Sequence, residues 1–272
     1  MACVRPPRIV NRLYFRRHSD SIRVRDHSRT STLPHTRHRS RKKHASEFVD
    51  SIVELKPRTA AFDCDGTLWA GDAGEGFLSW ELDQGLVSPK IVAWARQRYA
   101  DYRLGKVSEE DMCGEMVFMH EGLSDTLVQS AATQYFDEHM VRQIFPEMRG
   151  LVRKLLDQAC DVWVVSSTNQ WIIRAAMRYF GVSSDRILAT SVEIEDGVVT
   201  DRLIQVPSGD GKPDALRTVL QGPPEAAFGN SKWDVAMLAM AKHAFAVNPC
   251  PDVEDIARRL GWRIYYPDPV EL

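Results

Sequence analysis

Short apolar runs and amphipathic stretches alternate along most of this chain, and the alternation is most regular after Pro146. The apolar runs predict strands at Thr59–Phe62, Asp161–Val165, Arg186–Ala189, Ala226–Phe228, Ala244–Val247 and Arg263–Tyr265. The amphipathic stretches predict helices at Glu147–Gln158, Asn169–Phe180, Pro213–Leu220, Lys232–Met240 and Val253–Leu260. Strands that alternate with helices of this length predict an α/β protein, in which helices cover both faces of a mostly parallel sheet.

Two parts of the pattern depart from this alternation. Val192–Ile194 and Val198–Thr200 flank the turn residues Glu195-Asp196-Gly197 and predict a β-hairpin. Residues 70–145 contain no strand-like run, and their periodicity predicts helices at Gly76–Gln84, Pro89–Arg103, Ser108–His120 and Ser124–Met140. Four helices inserted after the first strand suggest a separate helical module at 70–145, with the α/β core formed by 47–69 and 146–272.

Residues 1–46 differ from the rest of the chain in composition. They hold 13 of the 35 Lys and Arg residues and two of the 37 acidic residues, although the formal net charge of the whole chain is −2. Without a sustained apolar periodicity, this extension is predicted to be disordered. It has no apolar core of a secretory signal, so export is not expected. Three interpretations stay open: a non-functional extension, an organelle transit peptide and a nucleic-acid-binding arm.

Composition also bears on membrane association and on the cellular location of the protein. No stretch approaches the roughly 18 continuous apolar residues of a membrane-spanning helix, so no membrane partner is expected. The five cysteines are scattered and have no metal-binding spacing, which indicates reduced thiols. This pattern predicts a cytoplasmic protein, or an organelle-targeted one if residues 1–46 are a transit peptide.

The most informative residues are Asp63 and Asp65, which follow the first predicted strand in the sequence Phe-Asp-Cys-Asp-Gly-Thr. Carboxylates at positions i and i+2 of an extended segment point the same way. Two like charges held so close repel each other unless a cation lies between them or one is protonated. The pair therefore indicates an oxygen-preferring metal, most simply Mg²⁺. Ligands of open α/β sheets bind at this carboxyl end of the strands.

Three later strand ends also terminate in polar residues. Ser166, Ser167 and Thr168 follow a buried strand and precede a helix, where hydroxyls and free N–H groups form an anion site. Lys212 places a cation at the entry to another helix, and Asn230 and Asp234 bring oxygen atoms to a strand-to-helix turn. Each feature alone is more typical of a cap, a turn or a surface charge. Their shared position at strand ends favours one common site.

These four elements together resemble the four motifs of the haloacid dehalogenase superfamily of aspartyl phosphohydrolases, over roughly residues 57–265. The helical segment after the first motif and the hairpin near Asp196-Gly197 are most similar to the phosphoserine-phosphatase-like subgroup. The resemblance implies a Rossmann-like three-layer sandwich with a small helical-bundle cap inserted after the first strand.

The same resemblance implies a role for each motif residue. Asp63 is expected to be the nucleophile and Asp65 the general acid and base. Ser166 is expected to contact a phosphoryl oxygen, and Lys212 to neutralise charge there and around Asp63. The expected cofactor is Mg²⁺, held by Asp63, the Asp65 carbonyl and the motif residues Asn230 and Asp234. Asn230 departs from the Asp that is usual in the family, which should weaken metal binding or shift it toward Asp234.

Substrate choice should lie in the helical segment. Asp72 and Glu75 stand where a carboxylate of phosphoserine phosphatases faces the substrate amine, and Ser167 and Thr168 are also predicted to contact the substrate. The arginine expected to bind a phosphoserine carboxylate is missing from 115–120, and Arg98 and Arg103 are only loose substitutes. The aromatic side chains at Trp69, Phe77 and Trp80 are predicted to be either core or the lining of a pocket for a cationic group.

The sequence therefore predicts a Mg²⁺-dependent phosphatase that acts on a small phosphorylated metabolite, such as phosphoserine or another amino or alcohol phosphate. A phosphotransferase or mutase of the same fold and a catalytically impaired phosphate-binding protein are the alternatives. A nucleic-acid partner is not expected beyond the basic extension, and the sequence makes no prediction of oligomeric state.

Overall fold

Seven strands form one sheet within residues 35–268, which are the part of the chain that the computed structural model describes. The spatial order of the strands is β4-β3-β2-β1-β5-β6-β7. Every neighbouring pair is parallel except β3 and β4, which form the antiparallel hairpin. The strands are β1 Thr59–Phe62, β2 Asp161–Asn169, β3 Ile187–Glu195, β4 Val198–Gln205, β5 Ala226–Gly229, β6 His243–Val247 and β7 Arg263–Tyr265.

Strand β1 lies in the middle of the sheet, and later strands are added on both of its sides. β2 and β3 follow on one side, and after the hairpin the chain crosses to β5 on the other side. The carboxyl ends of β1 and β5 therefore meet where the strand order reverses, which is where open α/β sheets form a ligand-binding crevice.

Helices cover both faces of the sheet, because alternate residues of each strand belong to different cores. Phe62 and Val164 pack with α1, α6 and α7, whereas Ala61 and Val165 pack with α8, α9 and α10 on the opposite face. The helices are α1 His35–Val53, α2 Ala73–Gln84, α3 Pro89–Arg103, α4 Glu109–Phe118, α5 Asp125–Tyr135, α6 Pro146–Asp157, α7 Gln170–Met177, α8 Gly211–Val219, α9 Val235–Met240 and α10 Pro251–Leu260. The result is a three-layer α/β sandwich, as predicted.

The helices between β1 and α6 do not pack as one unit. A small core joins α2, α3 and α4 through residues such as Leu78, Ala95 and Met112. Helix α5 instead contributes Val128 and Ala132 to the main core. It also contacts α7, where the indole of Trp171 donates to the carboxylate of Asp125 across 2.7 Å. The boundaries 70–145 of the helical cap stay a prediction.

Most predicted elements appear within a few residues of their expected bounds, but β2 does not end at Val165 and continues through Ser166, Ser167 and Thr168 to Asn169. Three further details differ. Arg186–Ala189 and Val192–Ile194 are one continuous strand, β3, because its residues pair first with β2 and then with β4. The helix predicted to end at Met140 is α-helical only to Tyr135, and a π-helical turn covers Phe136–Met140. Helix α1 begins at His35, so residues 35–46 are helical rather than disordered. The rest of that prediction, residues 1–34, lies outside the described residues.

The three aromatic residues considered for a cationic pocket belong to the packing of the main core. Trp69 and Phe77 are fully buried, and the half-buried Trp80 stacks on Phe77 at the edge of the core. Trp69 meets Phe136 edge to face with ring centroids 5.4 Å apart. The rings of Trp69 and Phe77 are therefore enclosed by protein, and neither is available to a cationic group.

Candidate active site

Strand β1 delivers Asp63 and Asp65 to the carboxyl edge of the sheet. The backbone N–H of Asp63 donates to the carbonyl of Phe228 in β5 at 2.9 Å, so the pairing continues one residue beyond the strand. The chain then turns at Gly66, whose φ of +76° favours glycine. A Cβ at Gly66 would lie 1.8 Å from Nδ2 of Asn230, so glycine also lets the β5 end approach closely. The turn thus brings Asn230 against the segment that carries the two aspartates.

The carboxylate of Asp63 is buried and holds two partners. Its Oδ1 atom lies 2.6 Å from Nζ of Lys212, and its Oδ2 atom accepts a hydrogen bond from the Thr67 hydroxyl at 2.8 Å. Burial raises the pKa of Asp63 to about 6 and the charge of Asp234 adds to this shift, whereas Lys212 and Thr67 oppose it. At neutral pH the carboxylate is therefore ionised, as a nucleophile requires.

Lys212 is the cation at the centre of the site. Its ammonium group is almost fully buried and contacts Asp63 and Asp234 at 2.6 Å each and the carbonyl of Val165 at 3.0 Å. Burial disfavours the charge of Lys212, but the carboxylates of Asp234 and Asp63 outweigh it and raise the pKa of the amine. The amine thus stays protonated and joins the residues that follow β1 and β5 to the middle of β2.

Asp234 is fully buried and organises the loop after β5. Its Oδ2 atom accepts from the backbone N–H groups of Asn230 and Ser231 at 2.9 and 2.8 Å and from the Ser231 hydroxyl at 3.0 Å. Its Oδ1 atom contacts Lys212. Both oxygens are therefore occupied by protein donors, and Asp234 does not line the cleft, whereas Asn230 and Ser231 do.

Asp65 accepts hydrogen bonds at both oxygens. Oδ1 accepts from the Trp69 indole at 2.7 Å and from the backbone N–H of Ala73 at 2.5 Å, and Oδ2 accepts from the Thr168 hydroxyl at 2.7 Å. Burial raises the pKa of Asp65 to about 7 and the charge of Asp72 adds to the shift, whereas the Ala73 and Thr168 hydrogen bonds oppose it. A carboxyl group that titrates near neutrality is suited to both donating and accepting a proton.

The three hydroxyl residues after Val165 have different partners. The buried Ser166 accepts at Oγ from the backbone N–H of Thr168 at 3.1 Å, which leaves its own proton for another acceptor. Ser167 donates to the carboxylate of Glu109 at 3.4 Å, and Thr168 donates to Asp65. All three line a cleft of about 420 Å³ together with Asp63, Asp65, Lys212 and Asn230. The cleft therefore brings together predicted residues from four strand ends.

A smaller cavity of about 60 Å³ opens beside this cleft. It is lined by Asp72 and Glu75, which are predicted from the sequence to bind substrate, and by Tyr99, Tyr102 and Glu109, which are not. Asn248 and Trp233 line the main cleft and were also missed. Asn248 follows β6, so the rule that strand ends carry the site would have found it. No local signal marks Glu109, which reads as an ordinary acidic residue in the first turn of α4.

The residues of the cleft fit a hard divalent cation only as a mixed set of oxygen donors. Among the described residues, no group of three His, Cys, Asp or Glu side chains is placed to hold a metal. The Asp63 carboxylate and the Asn230 amide both line the cleft, and the backbone carbonyl of Asp65 belongs to the same turn. Carboxylate, carbonyl and amide oxygens are donors that Mg²⁺ accepts, with water completing its coordination.

A family model described as haloacid dehalogenase-like hydrolase matches residues 60–239. This chain therefore belongs to the haloacid dehalogenase-like hydrolases. The match spans β1 to α9 and so includes all four strand ends of the candidate site. Membership in this family, together with the phosphatases among its relatives, makes the protein a phosphatase-type hydrolase.

Relatives of the chain include two with different stated activities. Phosphoserine phosphatase SerB1 of Mycobacterium tuberculosis is 27% identical over 215 residues, which cover 75% of this chain and 69% of the relative. A histidinol-phosphatase of Neisseria meningitidis is 27% identical over 216 residues, which cover 75% of this chain and 96% of the relative. The two names share phosphatase activity and differ in the substrate.

Solved structures support the fold. A protein of unknown function from Bordetella pertussis aligns with a TM-score of 0.68 and 22% identity, over 77% of this chain and 98% of that protein. A substrate-bound phosphoserine phosphatase aligns with a TM-score of 0.52 and 16% identity, over 77% of this chain and 92% of that enzyme. These two alignments support the fold, and the phosphoserine-phosphatase-like relationship predicted from the motifs is supported by the family model together with the 27% identical phosphoserine phosphatase SerB1.

Proposed function

We propose that this protein is a Mg²⁺-dependent phosphatase that hydrolyses a small phosphomonoester through an aspartyl-phosphate on Asp63. One observation carries the proposal. A buried ionised carboxylate, Asp63, lies against the ammonium group of Lys212, and a second carboxyl group with a pKa near 7, Asp65, lines the same cleft. This arrangement supplies a nucleophile, a charge-neutralising cation and a proton donor at one edge of the sheet.

The first half of the reaction forms the aspartyl-phosphate. An oxygen of Asp63 attacks phosphorus, the phosphorus–oxygen bond to the alcohol breaks, and protonated Asp65 gives its proton to the departing oxygen. Ser166 donates its hydroxyl proton to a phosphoryl oxygen, and Lys212 offsets charge on the phosphoryl group and on Asp63. Thr168 holds the Asp65 carboxyl group through its 2.7 Å hydrogen bond.

The second half of the reaction returns the enzyme to its starting state. Asp65, now ionised, accepts a proton from a water molecule that attacks the phosphorus of the aspartyl-phosphate. The bond between phosphorus and Asp63 breaks, phosphate leaves, and both carboxyl groups regain their initial protonation. One group with a pKa of about 7 therefore serves both halves of the cycle.

Mg²⁺ would be held by the Asp63 carboxylate, the Asp65 carbonyl and the Asn230 amide oxygen. Its positive charge would stabilise the oxygens of the phosphoryl group during transfer. Asp234 would act by positioning Lys212 and the Asn230 loop, because its two oxygens are already held by those groups. This assignment moves Asp234 from the predicted metal ligands to the residues that position the site.

The substrate would be a small phosphorylated metabolite, because the cleft of about 420 Å³ has a polar lining and because two relatives are named for such substrates. No described helix has the length and apolar character needed to span a bilayer. A cytoplasmic location stays part of the proposal and is supported by Cys64, Cys113, Cys160 and Cys250, none of which forms a disulfide.

The test is release of inorganic phosphate from p-nitrophenyl phosphate by the full chain. We expect turnover that disappears with EDTA, returns with Mg²⁺ and is lost in Asp63→Asn. Addition of an acceptor alcohol distinguishes hydrolysis from the predicted alternative of phosphotransfer, which would yield a new phosphate ester. A wild-type protein that binds phosphate analogues and Mg²⁺ without turning over any phosphomonoester would instead be the predicted impaired binding protein.

A further inference from the structure

We propose that this enzyme selects phosphomonoesters whose alcohol part is positively charged and carries no carboxylate, and that Glu109 is a determinant of this selectivity. The inference rests on the proposed phosphatase function and adds the substrate class. It concerns the small cavity beside the catalytic cleft, which we call the head-group cavity. The residues that carry the argument are Asp72, Glu75, Glu109, Tyr99 and Tyr102.

The head-group cavity continues the catalytic cleft. Asp72, Glu109 and Tyr102 line both spaces, as do Ser167 and Thr168. Thr168 donates to Asp65, the candidate proton donor to the alcohol oxygen. An ester whose phosphoryl group lies against Asp63 therefore directs its alcohol part past Asp65 and toward this cavity. At about 60 Å³ the cavity accommodates a head group of a few heavy atoms.

Three carboxylates from two helices surround the cavity. Asp72 is the N-cap of α2 and accepts from the backbone N–H of Glu75 at 2.8 Å, and Glu75 lies in the first turn of the same helix. Glu109 is the first residue of α4, and its carboxylate reaches Ser167 near the end of β2. Desolvation in the cleft raises the pKa of Asp72, and the charges of Glu75 and Glu109 add to this shift. Mutual repulsion of this kind is relieved by a bound cation.

Glu109 is held in place by neighbouring side chains. One oxygen accepts from the Tyr102 hydroxyl and the other from the Ser167 hydroxyl at 3.4 Å. These contacts orient the carboxylate toward the strand end that carries Ser166. Tyr99 and Tyr102 also line the cavity, and tyrosine rings are side chains that can bind a cation.

No lysine or arginine among the described residues lines the head-group cavity. Arg98, a sequence candidate for binding a substrate carboxylate, forms a two-pronged ion pair with Glu115. Arg103 is exposed at the end of α3 and does not belong to the cavity lining. Lys212 is bound by Asp63 and Asp234. A substrate carboxylate in this cavity would meet three acidic side chains and no lysine or arginine among the lining residues.

Three phosphate esters isolate the two charges of the head group. Phosphoethanolamine carries an amine, ethyl phosphate carries no charge on the alcohol part, and phosphoserine carries the same amine together with a carboxylate. For the full-length wild type we expect kcat/KM to be highest for phosphoethanolamine, about tenfold lower for ethyl phosphate and at least as low for phosphoserine. Phosphoserine as the best of the three esters would overturn the inference.

Variants then test Glu109 itself. Glu109→Gln keeps the size of the side chain and should lower the kcat/KM ratio of phosphoethanolamine to ethyl phosphate about tenfold. Glu109→Arg should raise the kcat/KM ratio of phosphoserine to phosphoethanolamine. Glu110→Gln, in the exposed next residue, is the matched control and should leave both ratios unchanged. Thermal unfolding of each variant identifies a folding defect, and ratios unaltered in folded Glu109 variants would refute its role.

Two further measurements separate this inference from the proposed function. Hydrolysis of p-nitrophenyl phosphate with no preference for phosphoethanolamine would leave the phosphatase function intact and overturn the selectivity. If no ester is hydrolysed, calorimetric binding of the three esters to Asp63→Asn reports the selectivity without turnover.

Arg103→Gln tests the competing idea that Arg103 binds a carboxylate, and a specific loss of phosphoserine turnover in that variant would contradict our assignment.

Discussion

The Oδ1 atom of Asp234 lies 2.6 Å from Nζ of Lys212, and both side chains are buried. Lys212 contacts Asp63 at the same distance on its other side, so one ammonium group bridges two carboxylates that would otherwise repel each other. The amine is supplied by α8 and the two carboxylates by the β1 and β5 ends. This bridge therefore couples the stability of the sheet edge to the geometry of the candidate nucleophile.

Asp234→Asn removes one charge from this bridge. Breaking a buried ion pair by changing one partner costs about 3–5 kcal/mol, because the other charge is left uncompensated. Here Asp63 remains as a partner of Lys212, so we expect the lower end of that range. Denaturant unfolding measures the loss. Asp214→Asn, which breaks the exposed pair with Arg217, is the control and should change the free energy of unfolding by less than about 1 kcal/mol. Equal effects of the two substitutions would contradict the bridge.

Asp65→Asn removes the candidate general acid and base. We expect kcat for an alkyl phosphate to fall about 10²–10⁴-fold, since that is the usual contribution of a positioned proton donor. With p-nitrophenyl phosphate the departing group needs little protonation, so the variant should still release one equivalent of nitrophenol in a burst and then stall as the aspartyl-phosphate. Rapid-quench detection of the acid-stable phosphorylated protein checks this result. A variant that turns over alkyl phosphates like the wild type would exclude Asp65 from proton transfer.

The raised pKa values of Asp63 and Asp65, about 6 and about 7, predict how stability depends on pH. Between pH 4 and pH 7 the folded state holds protons that the unfolded state has released. The free energy of unfolding should therefore fall as pH rises through this window, by at most about 1.4 kcal/mol per pH unit for each group. Urea unfolding in EDTA at a series of pH values measures the slope. Asp65→Asn should make it shallower near pH 7, and an unchanged slope would contradict the raised pKa of Asp65.

Asn230→Asp adds a carboxylate to the proposed metal site. Because an anionic ligand binds Mg²⁺ more strongly than an amide, we expect the Mg²⁺ concentration for half-maximal activity to fall about tenfold. Asn230→Ala should raise that concentration. Titration of phosphatase activity with MgCl₂ after EDTA treatment measures both. Ser231→Ala, in the adjacent cleft residue, serves as a comparison. If neither Asn230 variant changes the Mg²⁺ concentration for half-maximal activity, Asn230 is not a metal ligand.

Much of the fold followed from local patterns. Strands β1 and β7 and helix α3 have the bounds that were predicted, because apolar runs and a Ser-Pro start mark them within a few residues. The structure differs where an element depends on its neighbours. β3 runs without interruption through Thr190 and Ser191, which a sequence pattern reads as a break but which pairing with β2 and β4 makes extended. Likewise, the start of α1 at His35 is hidden in a stretch whose charge pattern resembles disorder.

The sequence by itself determined the four strand ends and the residues they carry, because each motif lies within a few consecutive positions and the parallel topology brings such ends to one edge. Only the tertiary structure decided the partners of those residues. Asp234 contacts Lys212, which lies 22 residues earlier in the sequence. Glu109 contacts Tyr102 and also Ser167, which lies 58 residues later. Periodicity records which face of an element is buried and carries no information about which distant side chain lies opposite, so the division between positioning and binding residues appears only when the chain is folded.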